Sequence, residues 1–337
     1  MTYLRYIIVL FAVWQTNAQR SDFNHIDFKK ADSIALSYSN ETLHNLPDLT
    51  SKLTANLETE VEQFRAIYFW VCHNISNDYS WYLKNKRKRE RFKDDLDQLN
   101  SWNEQSRSRI LKNMLNKKRT ICTGYAYLVK KLATLANIEC EIVDGFGRTS
   151  MIDVDKLTTP NHSWNAVKID NKWYLCDPTW ASGIPNPETQ KFMFYYNDGF
   201  YLANPKLFAI NHFPADEKWL LMDQNAPTFK DFIDAPVVYG KAYTNLNGHE
   251  APKKMHHDVR KYETITFKYE LAKSVEADDI TFEIDDGYRN KKIHPKTTHQ
   301  EDSSLTVQYQ FDTTGFYDVH LFIGEDRIST YTFNVKG

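Results

Sequence analysis

Hydrophobic positions recur at steps of three and four from Glu60 to Ile75, where Val61, Phe64, Ile67, Tyr68, Val71 and Ile75 mark one face of an amphipathic helix. Residues 27–60 carry weaker helical segments broken at Pro47. A second strong helical pattern runs from about Ile121 to Leu135, with Tyr125, Leu128, Val129, Leu132, Ala133 and Leu135 on its buried side and Thr120 as the expected N-cap. Three strand-like stretches follow, Glu139–Phe146, Ser163–Ile169 and Lys172–Asp177, the last two separated by the turn dipeptide Asp170-Asn171. From Gly183 to Phe213 the pattern becomes irregular and rich in aromatics, which reads as a wrap around a core. The period then switches to two. Residues 264–269, 280–284, 305–309, 317–322 and 330–335 alternate as short strands, the signature of a small β-sandwich of immunoglobulin-like kind.

These elements predict an α+β chain in two folded units: an N-terminal helical segment over 19–59, a first domain over 60–224, a linker over 225–257 and the sandwich over 258–337. The 337 residues are 42% apolar and 14% aromatic, ample material for a packed core and too much for a disordered chain. A formal net charge of −2 provides no global field for a polyanion, so nucleic acid is not an expected partner. The cation run Lys84, Lys86, Arg87, Lys88, Arg89, Arg91 and Lys93 is followed at once by Asp94, Asp95 and Asp97, which reads as a solvated helix or insertion.

Residues 1–18 place one cation, Arg5, before the apolar run Ile7–Trp14 and the short side chains Thr16 and Ala18. This pattern is that of a signal peptide and predicts a secreted or periplasmic protein; an uncleaved anchor is the alternative. With the signal removed, no further membrane span is expected. Cys72, Cys122, Cys140 and Cys176 match no zinc spacing, and four cysteines are few for a disulfide framework. A thiol with a chemical task fits this usage. No EF-hand loop is present, and the histidines at 249, 256, 257, 294 and 299 read as surface residues, so neither metal nor cofactor is expected.

A nucleophilic thiol needs a lowered pKa, a base and a group that orients the base. Cys122 falls in the first turn of its helix, at the positive end of the peptide dipoles. His162 opens one strand and Asp177 closes the next, so a hairpin at Asp170-Asn171 brings the two side by side. Cys122, His162 and Asp177 are therefore the expected catalytic triad.

The same residues carry a resemblance. Lys118-Arg119-Thr120-Ile121-Cys122-Thr123-Gly124-Tyr125-Ala126, His162-Ser163-Trp164-Asn165 and Trp173-Tyr174-Leu175-Cys176-Asp177-Pro178-Thr179-Trp180 resemble the cysteine, histidine and aspartate boxes of the transglutaminase-like superfamily, in the family's order. His212-Phe213-Pro214-Ala215-Asp216-Glu217-Lys218-Trp219 is similar to a segment that follows the core in the kyphoscoliosis-peptidase-like branch. The resemblance implies a papain-like core, a nucleophile helix packed on an antiparallel sheet that bears His and Asp. It also implies acyl transfer or hydrolysis on a peptide or protein amide, with a lean to peptidase or amidase. A catalytically silent binding or structural module on the same fold is the alternative, and the sandwich offers a place to dock a cell-surface partner. Two positions depart from the family pattern: Thr120 stands where a glycine is usual, and Asn77-Asp78 stands where Tyr-Asp is usual.

Overall fold

The computed structural model describes residues 19–150, 152–186, 188–189, 191–295 and 297–337. The expected signal peptide lies outside the described residues. Three helices, α1 (Lys29–Ser37), α2 (Leu46–Thr54) and α3 (Glu60–Asn74), form the N-terminal layer. The start of α3 is fixed by a capping box in which Thr59 accepts from the Glu62 backbone N–H while the Glu62 carboxylate accepts from that of Thr59. Its apolar pattern predicts one buried face, yet Ala66, Phe69, Trp70 and Cys72 are buried as well. The reason is packing on several sides, since α1, α2, α6 (Cys122–Leu135) and α7 (Pro178–Ser182) all lie against it.

The cation-rich stretch forms two helices, α4 (Tyr79–Phe92) and α5 (Leu96–Lys117), held by Asp78 and Asp95 side chains that cap their first turns. Only Trp81 of α4 is buried, together with Leu99, Ser106, Ile110 and Met114 of α5.

Behind α6 stands a four-stranded antiparallel sheet in the order β3-β2-β1-β4, where β1 is Cys140–Gly147, β2 His162–Ile169, β3 Lys172–Cys176 and β4 His212–Pro214. The β2–β3 hairpin closes at Ile169↔Lys172 through Asp170 (φ 50°) and Asn171 (φ 64°), the left-handed pair that a type I′ turn requires. On α6, Tyr125, Ala126, Leu128, Val129, Leu132 and Ala133 are buried, and the helix packs on β1 and β2. Strand β4 was hidden in the stretch expected to be an irregular wrap. It pairs with β1 through Gly145↔Pro214, Phe146↔Phe213 and Gly147↔His212.

One capping expectation fails. Ile121, not Thr120, is the N-cap of α6, and it supplies no side-chain hydrogen bond. Thr120 is instead committed to backbone pairing: it lies opposite Asn77 in a short parallel bridge, and its carbonyl accepts from the Asp78 N–H at 2.6 Å. Its side chain faces Gly124, where an added Cβ would lie 1.9 Å from the Thr120 hydroxyl oxygen.

The C-terminal strands form two sheets. One has the order 246–251, 265–271, 304–309, 297–301; the other runs 256–260, 326–336, 315–323, 280–285, 290–293, with 237–238 paired to 326–336. Inward residues alternate with outward ones, as in Ile265, Phe267, Tyr269 and Leu271, which are buried beside Phe282, Tyr331 and Phe333. The expectation of a linker over 225–257 needs correction on this point. Leu246–Ala251 pairs with Ile265–Leu271, and His256–Arg260 runs parallel to the last strand. Arg148, just past β1, donates to the carbonyls of Phe232, Ala235 and Pro236 and ties the preceding segment to the first sheet. His249 also departs from the surface reading. Its Nε2 lies 2.7 Å from Tyr331 Oη, and burial pushes its pKa down to about 4. No described helix is long and apolar enough to cross a membrane.

Candidate active site

Cys122 is the first residue of α6 and is half-buried, whereas Cys72, Cys140 and Cys176 are buried; all four are free thiols. Burial alone would raise the Cys122 pKa. The hydrogen bond and charge of His162, with a further bond from the Ser163 backbone, outweigh it, and the net direction is down. The other three thiols move the opposite way, with Cys140 pushed up to about 12 by burial.

His162 opens β2, and its place depends on two glycines of β1. Gly145 is its register partner, and a Cβ added to Gly147 would come within 2.8 Å of the His162 Cβ. Asn161 secures the same point, donating to the Gly147 carbonyl at 3.0 Å and accepting from its N–H at 2.7 Å. The imidazole stacks on Trp180 with ring centroids 5.0 Å apart.

Asp177 is fully buried. It follows β3 and caps α7, where its Oδ1 accepts from the N–H groups of Thr179 at 2.8 Å and Trp180 at 3.0 Å, with Pro178 at the first helical position. Its Oδ2 accepts from His162 Nε2 at 2.7 Å. Nε2–H therefore points at the carboxylate and leaves Nδ1 to meet the Cys122 sulfur. Burial opposes charge on both groups, but their mutual attraction wins: His162 is raised to about 10 and Asp177 is held far below the usual carboxylate range. The structure thus brings together all three residues that the sequence singles out.

It also adds one that sequence reasoning missed as a site residue. His212, on β4 and fully buried, places its Nε2 3.0 Å from the same Asp177 Oδ2. The His-Phe-Pro segment was visible in the sequence, but its pairing with β1 was not. Among the described residues, His162, Asp177 and His212 are the group whose ligand atoms lie close enough together to hold a metal ion, within 4.8 Å. Their separations of 2.7 and 3.0 Å are those of N–H donors on a carboxylate, whereas metal ligation needs bare nitrogen lone pairs.

Helix α4 borders this site at two points. Arg89 donates to the Pro160 carbonyl at 2.7 Å, two residues ahead of His162. Tyr82 packs against the cluster of Trp81, Ile110 and Ile121 and is pushed up to about 12 by burial and by the charge of Cys122.

A cysteine at a helix start, a histidine on the adjoining sheet and a buried carboxylate behind it define a thiol-centred site. Residues 47–178 match the family model of the transglutaminase-like superfamily, and the chain carries a domain of that superfamily. Among curated proteins, the kyphoscoliosis peptidase of Homo sapiens is 30% identical over 197 residues, 58% of this chain and 27% of that protein. Hillarin of Drosophila melanogaster is 23% identical over 226 residues, 63% of this chain and 25% of its own length. The Lim and transglutaminase domain protein of Caenorhabditis elegans is 21% identical over 207 residues, 58% and 26% of the two chains. The chain spans about a quarter of the length of the curated relatives it matches.

Proposed function

We propose that this protein is an exported thiol enzyme that performs acyl transfer or hydrolysis on peptide or protein amides, with Cys122 as nucleophile, His162 as general base and acid, and Asp177 as the group that orients His162. The observation that carries the reading is the arrangement of three side chains: Cys122 opens α6, His162 opens the adjoining β2 with its Nε2 2.7 Å from the buried Asp177 carboxylate, and in this setting the Cys122 thiol is shifted down and the His162 imidazole up to about 10. Such a pair holds a thiolate against an imidazolium near neutral pH. The thiolate attacks the carbonyl carbon; as the C–N bond breaks, His162 passes its proton to the departing amine and a thioester remains. Water, deprotonated by His162, releases the acid, or a second amine takes the acyl group. The name of the human relative favours peptide hydrolysis.

On this reading the first domain is a papain-like core, the C-terminal sheets are an immunoglobulin-like sandwich that positions substrate or docks a cell-surface partner, and residues 1–18 direct export. The test is the pH dependence of Cys122 alkylation by iodoacetamide in wild type and His162→Ala, read by mass spectrometry of the modified peptide. A thiol that reacts well below pH ~8.5 and loses that reactivity in His162→Ala supports the enzyme. An inert Cys122 in folded protein would leave a binding module on the same fold.

A further inference from the structure

Asp177 has no exposed surface, so every lone pair it offers must find its donor within the protein. Two backbone N–H groups meet Oδ1, and two imidazoles meet Oδ2. A carboxylate oxygen only accepts, so the Nε2 atoms of His162 and His212 both carry hydrogen. For His212 this leaves Nδ1 bare and 3.3 Å from the Phe208 carbonyl, an acceptor facing an acceptor. The other tautomer would improve that contact but would set a lone pair against a buried anion, the costlier choice. Ring stacking holds His212 in place, on Phe208 at 3.8 Å with planes 11° apart and against Trp180 at 4.3 Å.

We infer that His212 is a positioning residue that shares the Asp177 carboxylate with His162 and thereby limits how tightly His162 holds its proton. The inference rests on the acyl-transfer reading, in which His162 must give that proton to the departing amine. An isolated buried carboxylate would spend its whole charge on His162, whereas a second donor on the same oxygen withdraws part of it. Burial disfavours a charge on His212 and so favours this role over a charge switch. His212 is driven down to about 4, by burial first, so it stays neutral near pH 7. Cys72, Cys176, Tyr68, Tyr125 and Tyr243 around the carboxylate are all pushed up by burial and stay uncharged, which leaves Asp177 and the Cys122–His162 pair as the charged groups there.

The test is histidine-selective 15N NMR on wild type, His212→Gln and His212→Phe. In wild type at pH 7, His212 should show the Nε2–H tautomer. His212→Phe keeps a stacking ring but no donor, and the His162 titration should rise by about 1–2 pH units, the size expected for losing one hydrogen bond to a charged group. His212→Gln restores a donor and should bring the titration back toward wild type, a recovery that a packing role would not produce. An Nδ1–H tautomer in wild type overturns the inference even if both variants fail to fold, and so does an unmoved His162 titration in folded His212→Phe. Iodoacetamide reactivity of wild-type Cys122 is read separately. An unreactive thiol with the expected His212 tautomer would sink the enzyme reading, while a reactive thiol with an unmoved His162 would sink only the role of His212.

Discussion

Replacing Asp177 by Asn keeps the shape of the side chain but reverses half of its chemistry. The amide oxygen can still accept from the Thr179 and Trp180 N–H groups, while an NH2 now faces two imidazole N–H donors. Relief requires His162 to move its hydrogen to Nδ1, toward Cys122, where the proposed general base needs a lone pair. The anion that holds His162 charged is lost as well, and burial then favours the neutral ring. Cys122, left without its cation, returns to a thiol at or above the usual value of 9.0, so only about one molecule in 10³ is thiolate at pH 6. A higher-pKa thiolate is the better nucleophile, with a Brønsted slope of about 0.5, so each unit by which the wild-type thiol lies below the usual value slows the variant by about threefold at pH 6. The assay is the second-order rate of iodoacetamide modification of Cys122 at pH 6, with circular dichroism to show that the variant is folded. The deficit should shrink as pH rises toward 9. Folded Asp177→Asn that alkylates at the wild-type rate at pH 6 would refute the reasoning, because the thiolate would not then depend on the carboxylate.

Gly147→Ala puts a Cβ within 2.8 Å of His162 Cβ and 3.0 Å of its Cγ, so the imidazole must shift. Alkylation at pH 6 should fall by about tenfold with a stability loss of about 1–3 kcal/mol, and an unchanged rate would show that the glycine is not what seats the ring. Arg65→Met removes a buried guanidinium that binds Asp32 through Nε at 2.6 Å and Nη2 at 2.9 Å and also reaches Asp198, at the junction of α1, α3 and the segment before Phe200. Urea denaturation should show a loss of about 3 kcal/mol, since Asp32 loses its cation and Asp198 is left to Arg20 and the Tyr196 hydroxyl; a loss below about 1 kcal/mol would mean that water replaces the guanidinium freely.

What the sequence made legible is local. The hairpin that aligns His162 with Asp177 is written in Asp170-Asn171, and the position of Cys122 follows from the periodicity of the helix it opens. Strand β4 has three residues, too few to show a period, and its partner Gly145–Gly147 lies more than sixty positions upstream, so His212 could be seen but not placed. At Thr120 a good capping side chain lost to long-range backbone pairing with the end of α3's loop, a contest that local preference cannot decide. Residues 246–251 escaped notice for a related reason: register shifts at Leu246/Gly248 and His249/Ala251 interrupt the alternation that marks a strand.

The four thiols also make the protein its own reporter. Cys122 alone has a lowered pKa, while Cys72, Cys140 and Cys176 are buried and pushed up. Brief labelling of native protein in mild acid should therefore add one mass increment, on one peptide, without any cysteine having to be removed by mutation. The three silent thiols become available only when the core opens around them. A single intact-mass spectrum would then count two populations at once: molecules with one adduct are folded and chemically competent, and molecules with more have come apart.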